Sequence, residues 1–271
     1  MKINVAAATD IGLVRDHNED AYLVQEPLYV VADGMGGHLG GEVASATALE
    51  TIARIVADEG IGALTDAVRQ ANRAVYDRQA TDVEVAGMGT TLTGVAMEGS
   101  KLSVAHVGDS RAYLFRGGKL RLLTQDHSLV GEMVREGNLT EAQARVHPRR
   151  SALTRALGIS GDIEVDAFEV PVQTGDRIML CTDGLSGMIE DRRLQDILKD
   201  GNGAAETCSI LISEAIANGG LDNVTAVIID LVAEEGDDPA SAEADIAFAE
   251  PALLSEQRGN RRWFKRRNRK Q

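Results

Sequence analysis

Three short apolar runs each stop at an aspartate, and this repetition limits the fold more than any other feature of the chain. Residues 28–32 run into Asp33, residues 104–107 into Gly108-Asp109, and residues 178–181 into Thr182-Asp183. A strand with one wet face alternates apolar and polar side chains; residues 28–32 do not alternate and read as buried on both faces. Two further acidic motifs, Arg15-Asp16-His17-Asn18-Glu19-Asp20 and Leu221-Asp222-Asn223, stand beside other strand-like segments. Carboxylates converging from remote segments, with few bases between them, repel one another. A hard divalent cation removes that repulsion, and Mg²⁺ or Mn²⁺ prefers all-oxygen ligands with several waters. A lone Asp-Gly pair is no more than a turn. Five acidic motifs together, one of them Asp33-Gly34-Met35-Gly36-Gly37-His38, are more than turns.

The rest of the chain supplies elements to carry these ends. Strand patterns cover residues 3–8, 21–32, 90–97, 102–107, 112–115, 120–123, 163–170, 177–181 and 224–231. Ala48, Leu49, Ile52, Ile55 and Val56 share one helical face, as do Ile61, Leu64, Val68, Ala71 and Val75, and a third helix runs through Ala204, Cys208, Leu211, Ile212 and Ala215. Strands in groups, rather than strictly alternating with helices, predict an α+β fold with large, mainly antiparallel sheets. Residues 124–160 are polar with short helical patches, and so long an irregular stretch suits a lid over a site.

Composition narrows the setting. Two cysteines, Cys181 and Cys208, give no disulfide framework and fit a reducing cytosol. The first residues carry no signal-peptide pattern and no apolar run approaches about 18–20 residues, so the expected location is cytoplasmic. All 42 acidic residues but only 20 of the 28 basic ones lie in residues 1–256, a net charge of −22, whereas residues 257–271 carry +8. An acidic body argues against a nucleic-acid groove. Residues 233–256 read as an acidic, Ala-rich flexible linker, and residues 257–271 as a disordered polybasic tail around Trp263 and Phe264.

Other phosphate chemistries lack their residues. The glycines at 36–41 are not followed by the Lys-Ser/Thr of a P-loop. Gly187, not Arg, stands six residues after Cys181, and no serine sits in a nucleophile elbow. His17 reads as a surface residue, His106, His127 and His147 as scaffold or surface, Arg111 and Arg155 as ion-pair partners, and Asn18 and Asp20 as holding their loop.

Taken in order, Thr9-Asp10-Ile11-Gly12-Leu13-Val14-Arg15-Asp16-His17-Asn18-Glu19-Asp20, Val31-Ala32-Asp33-Gly34-Met35-Gly36-Gly37-His38, Gly87-Met88-Gly89-Thr90-Thr91-Leu92, Val107-Gly108-Asp109-Ser110-Arg111, Leu180-Cys181-Thr182-Asp183-Gly184-Leu185 and Asp222-Asn223-Val224-Thr225 resemble the metal-dependent, type 2C serine/threonine protein phosphatases in their compact bacterial form. The resemblance runs from about residue 3 to 232. It implies a catalytic domain over residues 1–232: a four-layer α-β-β-α sandwich of two antiparallel sheets flanked by helices, with a mobile flap at about 124–160. It implies two tightly bound Mn²⁺ or Mg²⁺ ions and a third, weaker one. Asp33 would bridge the pair and the Gly34 carbonyl would bind one ion. Asp183 and Asp222 would hold the other, Glu19 would act through bound water, and Asp109 with Asp183 would take the third. Arg15 would clamp the substrate phosphate and His38 would be the general acid. The sequence departs from the family at Ser151, where Asn commonly follows His-Pro-x-Arg.

The resemblance therefore implies hydrolysis of phosphoserine and phosphothreonine in phosphorylated proteins, without a phosphoenzyme, by a monomer opposing a bacterial Ser/Thr kinase. The alternative is a non-catalytic phosphoprotein-binding scaffold that keeps the fold; degraded ligands would favour it, and none is degraded. Outside the resemblance, residues 258–270 suit a weak contact with an anionic inner-membrane surface, each base adding about 1 kcal/mol near the surface. No specific nucleic acid is expected.

Overall fold

Alternation along each central strand explains how a continuous apolar run is used. In the computed structural model, which describes residues 1–37 and 39–234 and the backbone of 252–253, Tyr29 and Val31 of β3 (Leu28–Met35) face the opposite sheet. Val30 and Ala32 face helices. Both sides of the strand are dry, so no polar position is tolerated before Asp33. The same holds for β10 (Arg177–Cys181), whose Ile178 and Leu180 point between the sheets and whose Met179 and Cys181 point at helices.

One sheet orders its strands as β1 (Lys2–Asp10), β11 (Val224–Val232), β10, β7 (Arg111–Arg116) and β8 (Lys119–Leu122). The other runs β12 (Ala252–Leu253), β9 (Asp166–Pro171), β6 (Lys101–Val107), β5 (Leu92–Glu98), β3 and β2 (Asp20–Gln25), with β4 (Gly89–Thr90) paired to the end of β3. Every pairing among these strands is antiparallel. Helices α1 (Gly40–Glu59) and α2 (Leu64–Thr81) cover the second sheet through Ala48, Ile52, Ile55, Val68, Ala71 and Val75. Helices α6 (Asp191–Lys199) and α7 (Ala204–Ala217) cover the first through Leu194, Ile197, Cys208 and Leu211. The expected four-layer α+β sandwich is present. No helix among the described residues is long and apolar enough to cross a membrane.

Local expectations differ from the structure in three places. The single strand read over 21–32 is two strands, β2 and β3, with Glu26 and Pro27 between them, because Pro cannot donate to the ladder. The strand expected at 163–170 begins only at Asp166. Helix α6, with few apolar residues, has no counterpart in the sequence pattern. The short helical patches read within 124–160 are two helices, α3 (Leu129–Arg135) and α4 (Glu141–Arg145), the second opened by a Thr140–Gln143 capping box. His38, most of the acidic segment and the basic tail lie outside the described residues; of residues 235–271, only the backbone of Ala252–Leu253 is described, paired with β9.

Candidate metal centre

Antiparallel pairing brings the acidic ends to one place. Asp20 opens β2 and is the register partner of Asp33 near the end of β3. Cys181, two residues before Asp183, pairs with Arg111 at the start of β7 and with Ala226 near the start of β11. Asp109 sits in the β6–β7 turn, Asp222 just before β11, and Asp183 at the head of the short helix α5 (Asp183–Ser186). The sandwich thus gathers the predicted Glu19, Asp33, Asp109, Asp183 and Asp222 at one end.

Each loop is fastened to another. Thr91 accepts the Asp33 amide at 2.9 Å through its hydroxyl, donates its own amide to the Asp33 carbonyl, and meets the Ser110 hydroxyl at 2.7 Å, which couples the Asp33 and Asp109 loops. Gly108 has φ +110°, and a Cβ there would sit 2.6 Å from Thr91 Cβ, so glycine is required. The Glu19 carbonyl accepts from Gly34 N (3.1 Å) and Ser45 Oγ (2.8 Å). A Cβ on Gly34 would collide with the Gly41 carbonyl, which explains the bare backbone at this position.

Asn223 joins three more pieces. Its Oδ1 accepts from Glu19 N at 2.8 Å, and its Nδ2 donates to the carbonyls of Ile11 (3.0 Å) and His17 (2.9 Å). Beneath it, Asp20 Oδ2 receives the hydroxyls of Thr182 and Thr225, both at 2.7 Å. His127 brackets Gly108: its amide donates to the Gly108 carbonyl at 2.7 Å, and Gly108 N donates to Nδ1 at 3.0 Å. Nε2 therefore carries the ring proton, and it faces Asp166 Oδ2 at 3.1 Å. Arg155 and Arg111 pair with Asp166 and Asp126. His106 is buried, with its ring nitrogens 2.9 Å from Thr93 Oγ1 and 3.0 Å from the Gln125 carbonyl.

The cluster is electrostatically loaded. Burial, then Asp20, Asp183, Asp109 and Asp222, raises the Asp33 carboxyl well above its usual value. Burial and Asp183 raise Asp109, burial and Asp222 raise Asp183, and burial raises Glu19 against a lowering contribution from the Gly41 N–H. Asp20 is pushed up to about 7 by burial, opposed by the Thr225 and Thr182 hydroxyls. One oxygen each of Asp183 and Asp20 is sealed from solvent with no hydrogen-bond partner. Like charges in low dielectric either share protons or take a cation. Arg15 Nη2 already holds Asp222 Oδ2 at 2.7 Å.

Among the described residues no three acidic, histidine or cysteine side chains stand in a ligand-ready cluster as they lie, and one carboxylate, Asp222, is engaged by Arg15. The donor set nonetheless fits a hard divalent cation. It is all oxygen, mutually repelling and equipped with an unpartnered buried carboxylate oxygen at Asp183. The sequence alone points to the acids and to Asp20 as a holding residue, but not to Asp20's partners Thr182 and Thr225 or to the ties made by Thr91 and Asn223. A cleft of about 690 Å³, lined by Arg15, Asp109, Asp183 and Asp222 on one side and by residues of α3 and α4 on the other, opens over the acids.

An α-β-β-α sandwich with an acidic cluster at one end and a helical flap beside it defines a metal-dependent phosphohydrolase class. The chain belongs to the Protein phosphatase 2C family, whose pattern fits residues 14–216. It is 41% identical over 235 residues to a serine/threonine phosphatase stp of Listeria welshimeri, covering 82% of this chain and 93% of that one. It is 40% identical over 234 residues to the serine/threonine protein phosphatase PstP of Mycobacterium tuberculosis, covering 85% of this chain and 45% of that one. Among solved structures, the catalytic domain of PstP in complex with two manganese ions superposes with a TM-score of 0.79 at 38% identity, covering 85% of this chain and 99% of that one.

Proposed function

We propose that this chain is a metal-dependent protein serine/threonine phosphatase, hydrolysing phosphoserine and phosphothreonine in proteins and opposing a Ser/Thr kinase in the cytoplasm. The observation that carries the reading is the gathering of Asp33, Asp109, Asp183 and Asp222 at one end of the sandwich, where burial and the neighbouring carboxylates hold Asp33, Asp109 and Asp183 above the usual carboxylate range. Asp33, the Gly34 carbonyl, Asp183 and Asp222 would hold two Mn²⁺ or Mg²⁺ ions, with Glu19 acting through bound water and Asp109 with Asp183 offering a weaker third site. The bound ions would supply an acidified water and positive charge against the phosphoryl oxygens.

The chain's own residues do the rest. Arg15 lies half-exposed in the cleft wall, where its planar fork meets an incoming phosphoryl group with two parallel hydrogen bonds. His38, which follows the Gly36-Gly37 turn, gives its proton to the departing serine or threonine oxygen, a very basic leaving group. Asp20, Thr182 and Thr225 hold the acid-bearing strands in register, so the ligands do not rearrange during turnover. No side-chain nucleophile is required.

The test is turnover of p-nitrophenyl phosphate and of phosphothreonine and phosphotyrosine peptides with and without Mn²⁺. Activity is expected to need added metal, to vanish with EDTA and to favour phosphothreonine over phosphotyrosine. Full activity in metal-stripped protein would overturn the mechanism.

A further inference from the structure

Large apolar side chains exposed singly on a protein surface need no explanation, but a contiguous group beside a site does. Ile11 is 38% exposed, Leu13 68%, Val14 62% and Leu221 46%. They belong to two loops that touch: Leu13 N donates to the Gly220 carbonyl at 2.7 Å, and a Cβ on Gly220 would lie 3.0 Å from Leu13 Cγ. Leu221 and the half-buried Met188 both approach Gly219. The four side chains and Met188 therefore make one lip rather than scattered points.

The lip is rigid, although it exposes oil to water. Gly12 N donates to Asp10 Oδ1 at 2.8 Å, and the Ile11 carbonyl accepts from Asn223 Nδ2. Gly12 has φ +78°, and a Cβ there would collide with the Asp222 carbonyl and lie 2.7 Å from that of Gly220. Loops free to rearrange would fold such side chains inward; this one is fastened so that they cannot. It is also continuous with the cleft. Val14 precedes Arg15, Leu221 precedes Asp222, and both Leu221 and Met188 line the cleft wall.

Resting on the phosphatase reading, we propose that Ile11, Leu13, Val14 and Leu221 form a docking surface for the polypeptide that carries the phosphorylated residue, and that it takes apolar side chains flanking that residue. Extended chain advances about 3.3 Å per residue. A phosphoryl group held by Arg15 therefore places side chains one to three positions away over the lip. Charge at Arg15 recognises the phosphate, and apolar contact beside it recognises the sequence.

The experiment uses the full chain with Mn²⁺ and two phosphothreonine peptides that differ only in Leu or Ser at the three positions on each side. The parent is expected to show a KM about 10-fold lower for the Leu peptide. In Leu13→Asp/Val14→Asp that advantage is expected to disappear, while p-nitrophenyl phosphate turnover stays within about twofold; Leu221→Ser, on the other loop, is expected to lose part of it. Equal KM for the two peptides in the parent, an unchanged Leu preference in the double variant, or equal loss on p-nitrophenyl phosphate would each overturn the proposal. Sedimentation showing a parent dimer that the double variant dissociates would assign the lip to self-association and overturn it too. Binding of the fluorescent Leu peptide is measured in parallel. A parent that hydrolyses nothing, yet binds this peptide more tightly than the variant does, would sink the phosphatase reading and leave the docking surface standing.

Discussion

Replacing Asn223 by alanine removes a side chain that ties the Arg15 loop, Glu19 and the start of β11 together. The carboxamide is buried, at 4% exposure, and makes three hydrogen bonds, at 2.8, 3.0 and 2.9 Å, to the backbone of Glu19, Ile11 and His17. A buried hydrogen bond is worth about 1 kcal/mol net, and stranding a partner costs about 1–3 kcal/mol. One donor and two acceptors stranded, with partial rescue by water at the two carbonyls, predicts a loss of about 2–4 kcal/mol. Urea unfolding in EDTA measures this loss without any contribution from bound metal. A second effect follows from position: Glu19 and Asp222 lose their common anchor, so calorimetry is expected to show Mn²⁺ affinity at least about 10-fold weaker. A metal-free stability within about 0.5 kcal/mol of the parent, together with unchanged Mn²⁺ affinity, would show that the loops hold themselves and that the hub reasoning is wrong.

Asp33→Ala or Asp183→Ala is expected to nearly abolish turnover and to weaken Mn²⁺ binding in calorimetry, whereas Asp109→Ala is expected to leave two tight ions bound. His38→Ala is expected to slow alkyl phosphates far more than p-nitrophenyl phosphate, because only the poor leaving group needs a proton; equal slowing would remove His38 as the acid. Burial lowers His106 to about 4, from about 6.5 in the unfolded chain, so its contribution to stability is complete above pH 6.5 and is lost as pH falls toward 4. Over that window the loss is about 3 kcal/mol, and His106→Gln is expected to flatten this part of the stability–pH curve. Asp176→Ala removes the buried carboxylate to which the Arg116 guanidinium makes 2.7 and 2.6 Å bonds, a charge that the Pro171 carbonyl at 2.9 Å does not neutralise, and is expected to cost about 3–5 kcal/mol in denaturant unfolding.

The parts of this molecule that sequence revealed are those with a local cause. Helices α1 and α2 show their buried stripe every third or fourth residue, and the strands ending at Asp33, Asp109 and Asp183 announce themselves because both faces are dry. The break at Glu26-Pro27 was hidden by apolar residues on either side of it. Helix α6 was missed because only Leu194, Ile197 and Leu198 of its residues are buried. The site's acids were legible for a related reason: a charge at the end of an apolar run is conspicuous. Its fastenings were not. Thr91 reaches back to Asp33, Asn223 to Glu19, and Thr182 to Asp20, and a hydroxyl or amide gives no local sign of a partner so distant in the chain.

The pairing of β1 with β11, from Lys2 opposite Val232 to Asp10 opposite Val224, sets when a newly made chain becomes competent. Asp33 leaves the ribosome long before Asp222. At about 5–20 residues per second the interval is roughly 10–40 s. Throughout it β1 has no partner, Glu19 lacks the amide that fixes its backbone, and the acidic end of the sandwich is open. A nascent or stalled chain is therefore expected to carry most of the ligands yet hold metal poorly. Competence arrives abruptly, with the last long strand, so unfinished copies are inert rather than indiscriminate.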